Sequence, residues 1–93
     1  MDFLVHMEIT GLTYGTEMYT ALAAQEAGRA RELAAVGILR RLWRVPGRRA
    51  NWGIWSANTV DELHTALASL PLFPYMSIAV HPLACHPNDP GSK

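Results

Sequence analysis

Charge is scarce in this chain of 93 residues. Charged side chains make up 17% of it, and eight basic residues balance eight acidic ones to a formal net charge of zero. No global field is therefore available to draw nucleic acid or an anionic membrane surface toward it. Cysteine is nearly absent: Cys85 stands by itself, which excludes an intrachain disulfide framework and fits a reducing compartment. No apolar run approaches the roughly 18 residues a membrane span needs, and no basic-then-apolar leader opens the sequence. A cytoplasmic protein is expected by elimination. Metal-site spacing is missing as well. His6, His64, His81 and His86 include no i, i+4 pair, one cysteine makes no Cys-x-x-Cys, and His81, Cys85 and His86 are interrupted by Pro82 and Pro87. No glycine-rich loop leads from a strand into a helix, so nucleotide binding has no support. Trp and Arg do alternate near the middle of the chain, as in binders of single strands, but the neutral balance argues against that use. No cofactor, metal, nucleic acid or membrane partner is expected.

What is present is apolar material, 49% of the residues. The length makes one domain, 1–93, at the small end of what folds independently. So apolar a short chain is expected to finish its core by association, as a homo-oligomer. Its basic residues concentrate between Arg29 and Arg49. Such a cluster suits either a small anionic ligand or a solvated face.

The pattern along the chain gives six elements. Asp2 to Ile9 alternates, with Phe3, Val5, Met7 and Ile9 on one side, and reads as a strand. Thr10 to Gly15 supplies a turn, and either Thr13 or Thr16 can cap the helix that follows, Thr16 being the less expected because it lacks a Glu or Gln three residues on. That helix runs from about Met18 to Val36 and stops at Gly37. Ile38 to Val45 is a strand, with Arg40 and Arg44 beside Leu42 on one face and Arg41 beside Trp43 on the other. Pro46-Gly47 turns the chain into a return strand, Ala50 to Ser56. Thr59 with Glu62 opens a second helix whose apolar stripe is Val60, Leu63, Leu67 and Leu70. Pro71 ends it, the segment Leu70 to Met76 carries two prolines and the aromatics Phe73 and Tyr75, and Met76 to Pro82 is the last strand. From Leu83 to Lys93 the chain is expected to be irregular.

The order β-α-β-β-α-β predicts an α+β, ferredoxin-like fold: a four-stranded antiparallel sheet with two helices on one face. The other face of the sheet is left bare in a monomer. A second copy covering it would make a dimeric α+β barrel.

One residue breaks the pattern. At about 100° per residue, Glu26 falls on the same arc of the first helix as Met18, Leu22, Leu33 and Val36. A carboxylate on the inward stripe has to be paired, protonated or functional. Spacing leaves two readings open: a structural ion pair with an arginine, or a base that removes a carbon-bound proton, with Arg44 or Arg41 binding a substrate carboxylate or a developing enolate.

Specific residues then favour the second. Leu42-Trp43-Arg44, Gly47, Ala50, Asn51 and Leu63-His64 with Leu67 resemble the muconolactone delta-isomerase family. So do Leu70-Pro71-Leu72-Phe73-Pro74-Tyr75-Met76, Ile78, Val80, Pro82-Leu83 and His86-Pro87. The resemblance covers nearly the whole chain. It implies a cofactor-independent isomerase that shifts a proton on an unsaturated lactone in aromatic-compound catabolism, assembled from dimers into a high oligomer, typically a decamer. It also implies that Glu26 is the catalytic base and acid and that Arg44 and Asn51 hold lactone or carboxylate oxygens, with Arg41, His64 and Tyr75 as further candidates for binding substrate. Three positions depart from the family pattern. Ala23 stands where a lysine is common, Arg41 replaces a histidine and Arg49 a tyrosine. A cyclase or dehydratase of a biosynthetic pathway, or a non-catalytic ligand-binding or assembly module, would suit the same scaffold.

Overall fold

The structure is a computed structural model and describes residues 1–91. The elements run β1 (Asp2–Ile9), α1 (Glu17–Ala35), β2 (Leu39–Arg44), β3 (Ala50–Ser56), α2 (Val60–Ala68) and β4 (Met76–Leu83), with one 310 turn, Phe73–Tyr75, leading into β4. The strands form one antiparallel sheet in the order β2-β3-β1-β4. This is the ferredoxin-like arrangement that the element order predicts. Ala84 to Gly91 form neither helix nor strand, and Ser92 and Lys93, in the tail expected to be irregular, lie outside the described residues.

The apolar face of β1 generates the core. Phe3, Val5 and Met7 are buried and stand opposite Trp55, Gly53 and Asn51 of β3. Over them pack Leu33 of α1, Leu63, Ala66 and Leu67 of α2, and Leu70 just beyond it. Trp55 and Phe3 are among the largest fully buried side chains. Each removes a large apolar surface from water, and this burial is the main stabilising contribution available to so short a chain.

Helix α1 departs from its sequence pattern at both ends. Thr16, not Thr13, is the N-cap. It is extended (φ −79°, ψ 161°) and its hydroxyl accepts from the Tyr19 N–H, which satisfies a first-turn donor without any acidic partner three residues on. Met18 and Val36 are 49% and 70% exposed, so the stripe is shorter than the helix, and residues at its ends find no layer beneath them. Leu33 is the buried residue of α1, while Leu22, Ala23, Glu26 and Ala30 are half-buried. Gly37, at φ +82°, ends the helix as expected, its N–H bonding Ala34 O and that of Ile38 bonding Leu33 O. In α2, Thr59 caps as expected by accepting from Glu62 N–H, but Val60 is exposed and Ala66 takes its place in the core.

A register shift between Leu39 and Arg41 in β2 decides which side chains of that strand turn toward the helices. Leu39 pairs with Trp55, yet Leu42 pairs with Gly53 and Arg44 with Asn51. The extra residue, Arg40, thus lets Leu39, Leu42 and Arg44 all face the helices, whereas strict alternation would put Leu39 on the other side from the latter two. Arg41 and Trp43 point to the opposite face.

That outer face has no cover among the described residues. Leu4, His6, Trp52, Ile54, Trp43 and His81 lie on it, with His6 and His81 ring centroids 4.6 and 6.2 Å from that of Trp52 and the Arg41 guanidinium 4.6 Å from that of Trp43. No helix among the described residues is long and apolar enough to cross a membrane.

Gly53 marks a tight approach in the sheet. A Cβ there would lie 2.9 Å from both Leu42 Cδ2 and Trp55 Nε1 and 3.1 Å from the Arg41 carbonyl oxygen. The last contact is backbone and cannot rotate away. Gly53→Ala is expected to cost about 1–3 kcal/mol by overpacking, read as a lower denaturant midpoint. An unchanged midpoint would mean that β2 can move outward freely.

Candidate functional site

Because β2 and β3 turn Arg44, Leu42 and Asn51 toward α1, a space opens between helix and sheet at that end of the molecule. Its outer part is an open cleft of about 890 Å³, lined by Glu26, Arg44, Asn51, Tyr14, Tyr19 and Arg49 among others. A smaller recess of about 240 Å³ continues from it, lined by Ala23, Glu26, Ala27, Asn51, Trp55 and Leu70 among others. Met7, Glu26, Leu42 and Asn51 line both. Glu26 and Asn51 therefore stand at the junction of the two chambers, one from the helix and one from the sheet.

The carboxylate of Glu26 is half-buried and held from one side. Its Oε1 accepts the Leu72 N–H at 3.0 Å. Leu72 can present that amide because Leu70 and Leu72 are both buried, and the carbonyls of these two leucines take the N–H groups of Phe73 and Tyr75. The proline-rich segment is thus anchored by its leucines, with Phe73 packed at the edge of the core and Tyr75 against Gly11. Desolvation pushes the Glu26 pKa above 4.5, and the Leu72 hydrogen bond pulls partly back. Among the described residues the ion pairs are Arg29–Glu32 and Arg48–Glu8, so Glu26 is not locked by an arginine. The structural ion pair that spacing left open is absent from the described residues.

The arginines of the cleft are unequally committed. Arg48 clamps Glu8 through three hydrogen bonds of 2.6 to 3.1 Å. Arg49 donates to the Leu12 carbonyl at 3.0 Å and lies 5.6 and 5.9 Å from the ring centroids of Tyr14 and Tyr19. Arg44 makes no hydrogen bond or ion pair among the described residues. Its guanidinium is free to take an anionic group entering the cleft.

The residues expected to bind substrate divide accordingly. Arg44 and Asn51 line the cleft with Glu26. Arg41, His64 and Tyr75 do not line either chamber. Arg41 is carried to the outer face by the register shift, His64 is exposed on α2 with its ring 6.1 Å from Phe73, and Tyr75 contributes its carbonyl to the Thr10 and Gly11 N–H groups. Sequence reasoning missed Tyr14, Tyr19 and the Leu72 amide. The tyrosines sit in a turn and a first helical turn, where no periodicity marks them, and the third is a backbone group invisible to residue type. No cluster of His, Cys, Asp and Glu among the described residues is arranged to hold a metal ion.

The chain matches the profile of the muconolactone delta-isomerase family over residues 1–89. It is 48% identical over 67 residues to the muconolactone delta-isomerase of Cupriavidus pinatubonensis, covering 72% of this chain and 73% of that protein. Against the Acinetobacter baylyi enzyme of the same name the figures are 35% over 89 residues, 95% and 93%. A solved crystal structure of muconolactone isomerase superposes with a TM-score of 0.89 at 37% identity, covering 100% of this chain and 98% of that one.

A buried, raised carboxyl has a stability signature. The native state holds the Glu26 proton more tightly than the unfolded chain does, so stability falls as pH rises through the window from 4.5 to the raised value. Glu26→Gln is expected to remove this part of the slope in pH-dependent denaturation. Carboxyl-carbon NMR should place the Glu26 midpoint above 4.5, and a midpoint at or below that value would contradict the burial argument.

Proposed function

Because the chain belongs to the muconolactone delta-isomerase family and is an isomerase, we propose that Glu26 moves a proton between two carbons of an unsaturated lactone, muconolactone itself or a close relative. The observation that carries this reading is a half-buried carboxylate without a counter-ion, at the junction of a cleft and a recess, with an uncommitted arginine in the same cleft. Burial makes the carboxylate a stronger base than a solvated one, and the Leu72 N–H holds Oε1 and leaves Oε2 without a hydrogen-bond partner among the described residues.

The chemistry needs one base and no change of oxidation state. Glu26 takes the proton from the ring carbon that bears the acidic side chain. The electron pair left behind spreads through the double bond onto the lactone carbonyl oxygen as a dienolate. The same carboxyl then returns its proton to the carbon next to the carbonyl, the double bond has moved, and Glu26 is again ionised. Arg44 pairs with the substrate carboxylate and sets which carbon lies over Glu26. No metal or organic cofactor takes part in this scheme.

The outer sheet face supports a second part of the reading. Trp43, Trp52, His6 and His81 on an uncovered sheet suit a second copy packed face to face, which completes a dimeric α+β barrel and from it a larger homo-oligomer.

Glu26→Gln is expected to lower kcat at least a hundredfold on muconolactone while the thermal transition is kept, and near-parental turnover would refute the mechanism. Arg44→Gln should chiefly raise KM, by about tenfold or more, as loss of a charged anchor does. In deuterium oxide the product should keep the mass formula of the substrate, gaining deuterium next to the carbonyl only to the extent that the Glu26 carboxyl exchanges with solvent before it returns the proton, and a product lighter by one water would point to a dehydratase instead. Trp52→Glu should shift the sedimenting species toward monomer. If it leaves the mass unchanged, the sheet face is not the contact.

A further inference from the structure

Two side chains in the wall of the recess beyond Glu26 carry a buried polar atom without a protein partner. Trp55 is 1% exposed, yet its indole Nε1–H meets no acceptor, and the Asn51 Oδ1 is likewise buried without a donor. Buried polar groups are nearly always satisfied, and an orphan donor in a core needs a reason. The indole nitrogen lies against the bare Cα of Gly53, 2.9 Å from where a Cβ would stand, so the ring keeps this pose only because residue 53 has no side chain. Both orphan atoms belong to side chains of the recess wall, and the remaining wall includes Ala23, Ala27 and the Glu26 carboxylate. At about 240 Å³ the recess admits several heavy atoms.

Resting on the isomerase reading, we infer that this recess is the subsite for the lactone carbonyl, and that the Trp55 Nε1–H is the donor to its oxygen. An indole nitrogen donates and never accepts, so the atom it awaits is an acceptor. The acceptor that matters in a proton shift is the carbonyl oxygen, because the electron pair released from carbon accumulates there. A donor fixed in a dry wall before the reaction starts stabilises that charge without reorganising. Rotation of the Asn51 amide turns Nδ2 inward in place of Oδ1, giving the same oxygen a second N–H. The substrate then spans both chambers: carboxylate toward Arg44 in the cleft, carbonyl toward Trp55 in the recess, and the ring carbons at Glu26 between them. The subsite selects for compounds whose carbonyl is part of a small flat ring, since the recess is walled by alanines and closed by the sheet.

Trp55→Phe keeps an aromatic ring in the core and deletes the N–H. On the assembled protein it is expected to lower kcat on muconolactone at least tenfold while leaving the Glu26 limb of the pH profile in place. A purely structural role would instead lower the melting temperature with turnover per folded molecule unchanged. The second measurement needs no variant at position 55. The protein has three tryptophans, so in 15N-labelled protein the Trp55 indole resonance is identified by elimination with Trp43→Phe and Trp52→Phe. Titration of the unmutated protein with the saturated lactone bearing an acetate side chain should move that resonance downfield. Turnover of Trp55→Phe within twofold of the parent, or an indole resonance that stays put as the lactone saturates the cleft, overturns the assignment. If Glu26→Gln is inactive while Trp55→Phe is fully active, the proton-transfer reading survives and this one falls. If the lactone moves the indole signal but muconolactone is not turned over, the carbonyl subsite stands and the assigned reaction falls.

Discussion

A carboxylate held by one backbone N–H and by no cation is the constraint on which the rest of this structure turns. Leu72 N–H binds one oxygen of Glu26 and leaves the other unopposed. Had an arginine filled that place, the carboxylate would be a weak base in a closed ion pair. Had nothing filled it, the side chain would rotate out to water. A single neutral donor fixes direction while removing little basicity, and burial adds basicity back. The fold provides this donor at a distance of 46 residues along the chain, through a proline-interrupted segment pinned by two buried leucines.

The neighbouring cations are arranged so that this balance persists. Arg48 is neutralised by Glu8, and Arg49 is spread over two tyrosine rings and a carbonyl. Both contribute surface to the cleft but neither reaches the acid. The chain can therefore carry a local excess of arginine near its site without quenching the one carboxylate there. Position 49 is part of this arrangement: a guanidinium beside Tyr14 and Tyr19 fills the rim with a broad, flat cation.

Much of this was legible in residue order, and the parts that were not share a cause. Alternation gave β1 its buried face, Gly37 its stop and Thr59 its cap, because each of these is decided within a few residues. Glu26 stood out since its neighbours on the arc were apolar. Met18 and Val36 were misread because periodicity reports which face a residue occupies and not whether anything lies over it. The orientation of β2 was hidden for a related reason. A bulge at Arg40 changes which residues share a face, and nothing in Leu39-Arg40-Arg41-Leu42 distinguishes it from a regular strand. Alternation placed Arg41 and Arg44 on opposite faces but did not say which of the two faces turns toward the helices, and that face proves to be the one of Arg44. Leu72 and Trp55 were invisible as polar groups, one being a main-chain amide and the other an aromatic counted as core.

The surplus residue in β2 also bears on how such a chain tolerates change over time. Side chains further along the strand keep their faces only while that one-residue excess is retained, so a loss or gain there exchanges lining for exterior over several positions at once. A substitution nearby alters one group only. A length change between Gly37 and Pro46 is therefore a different class of event from a side-chain replacement, because it re-sorts the faces of the whole strand.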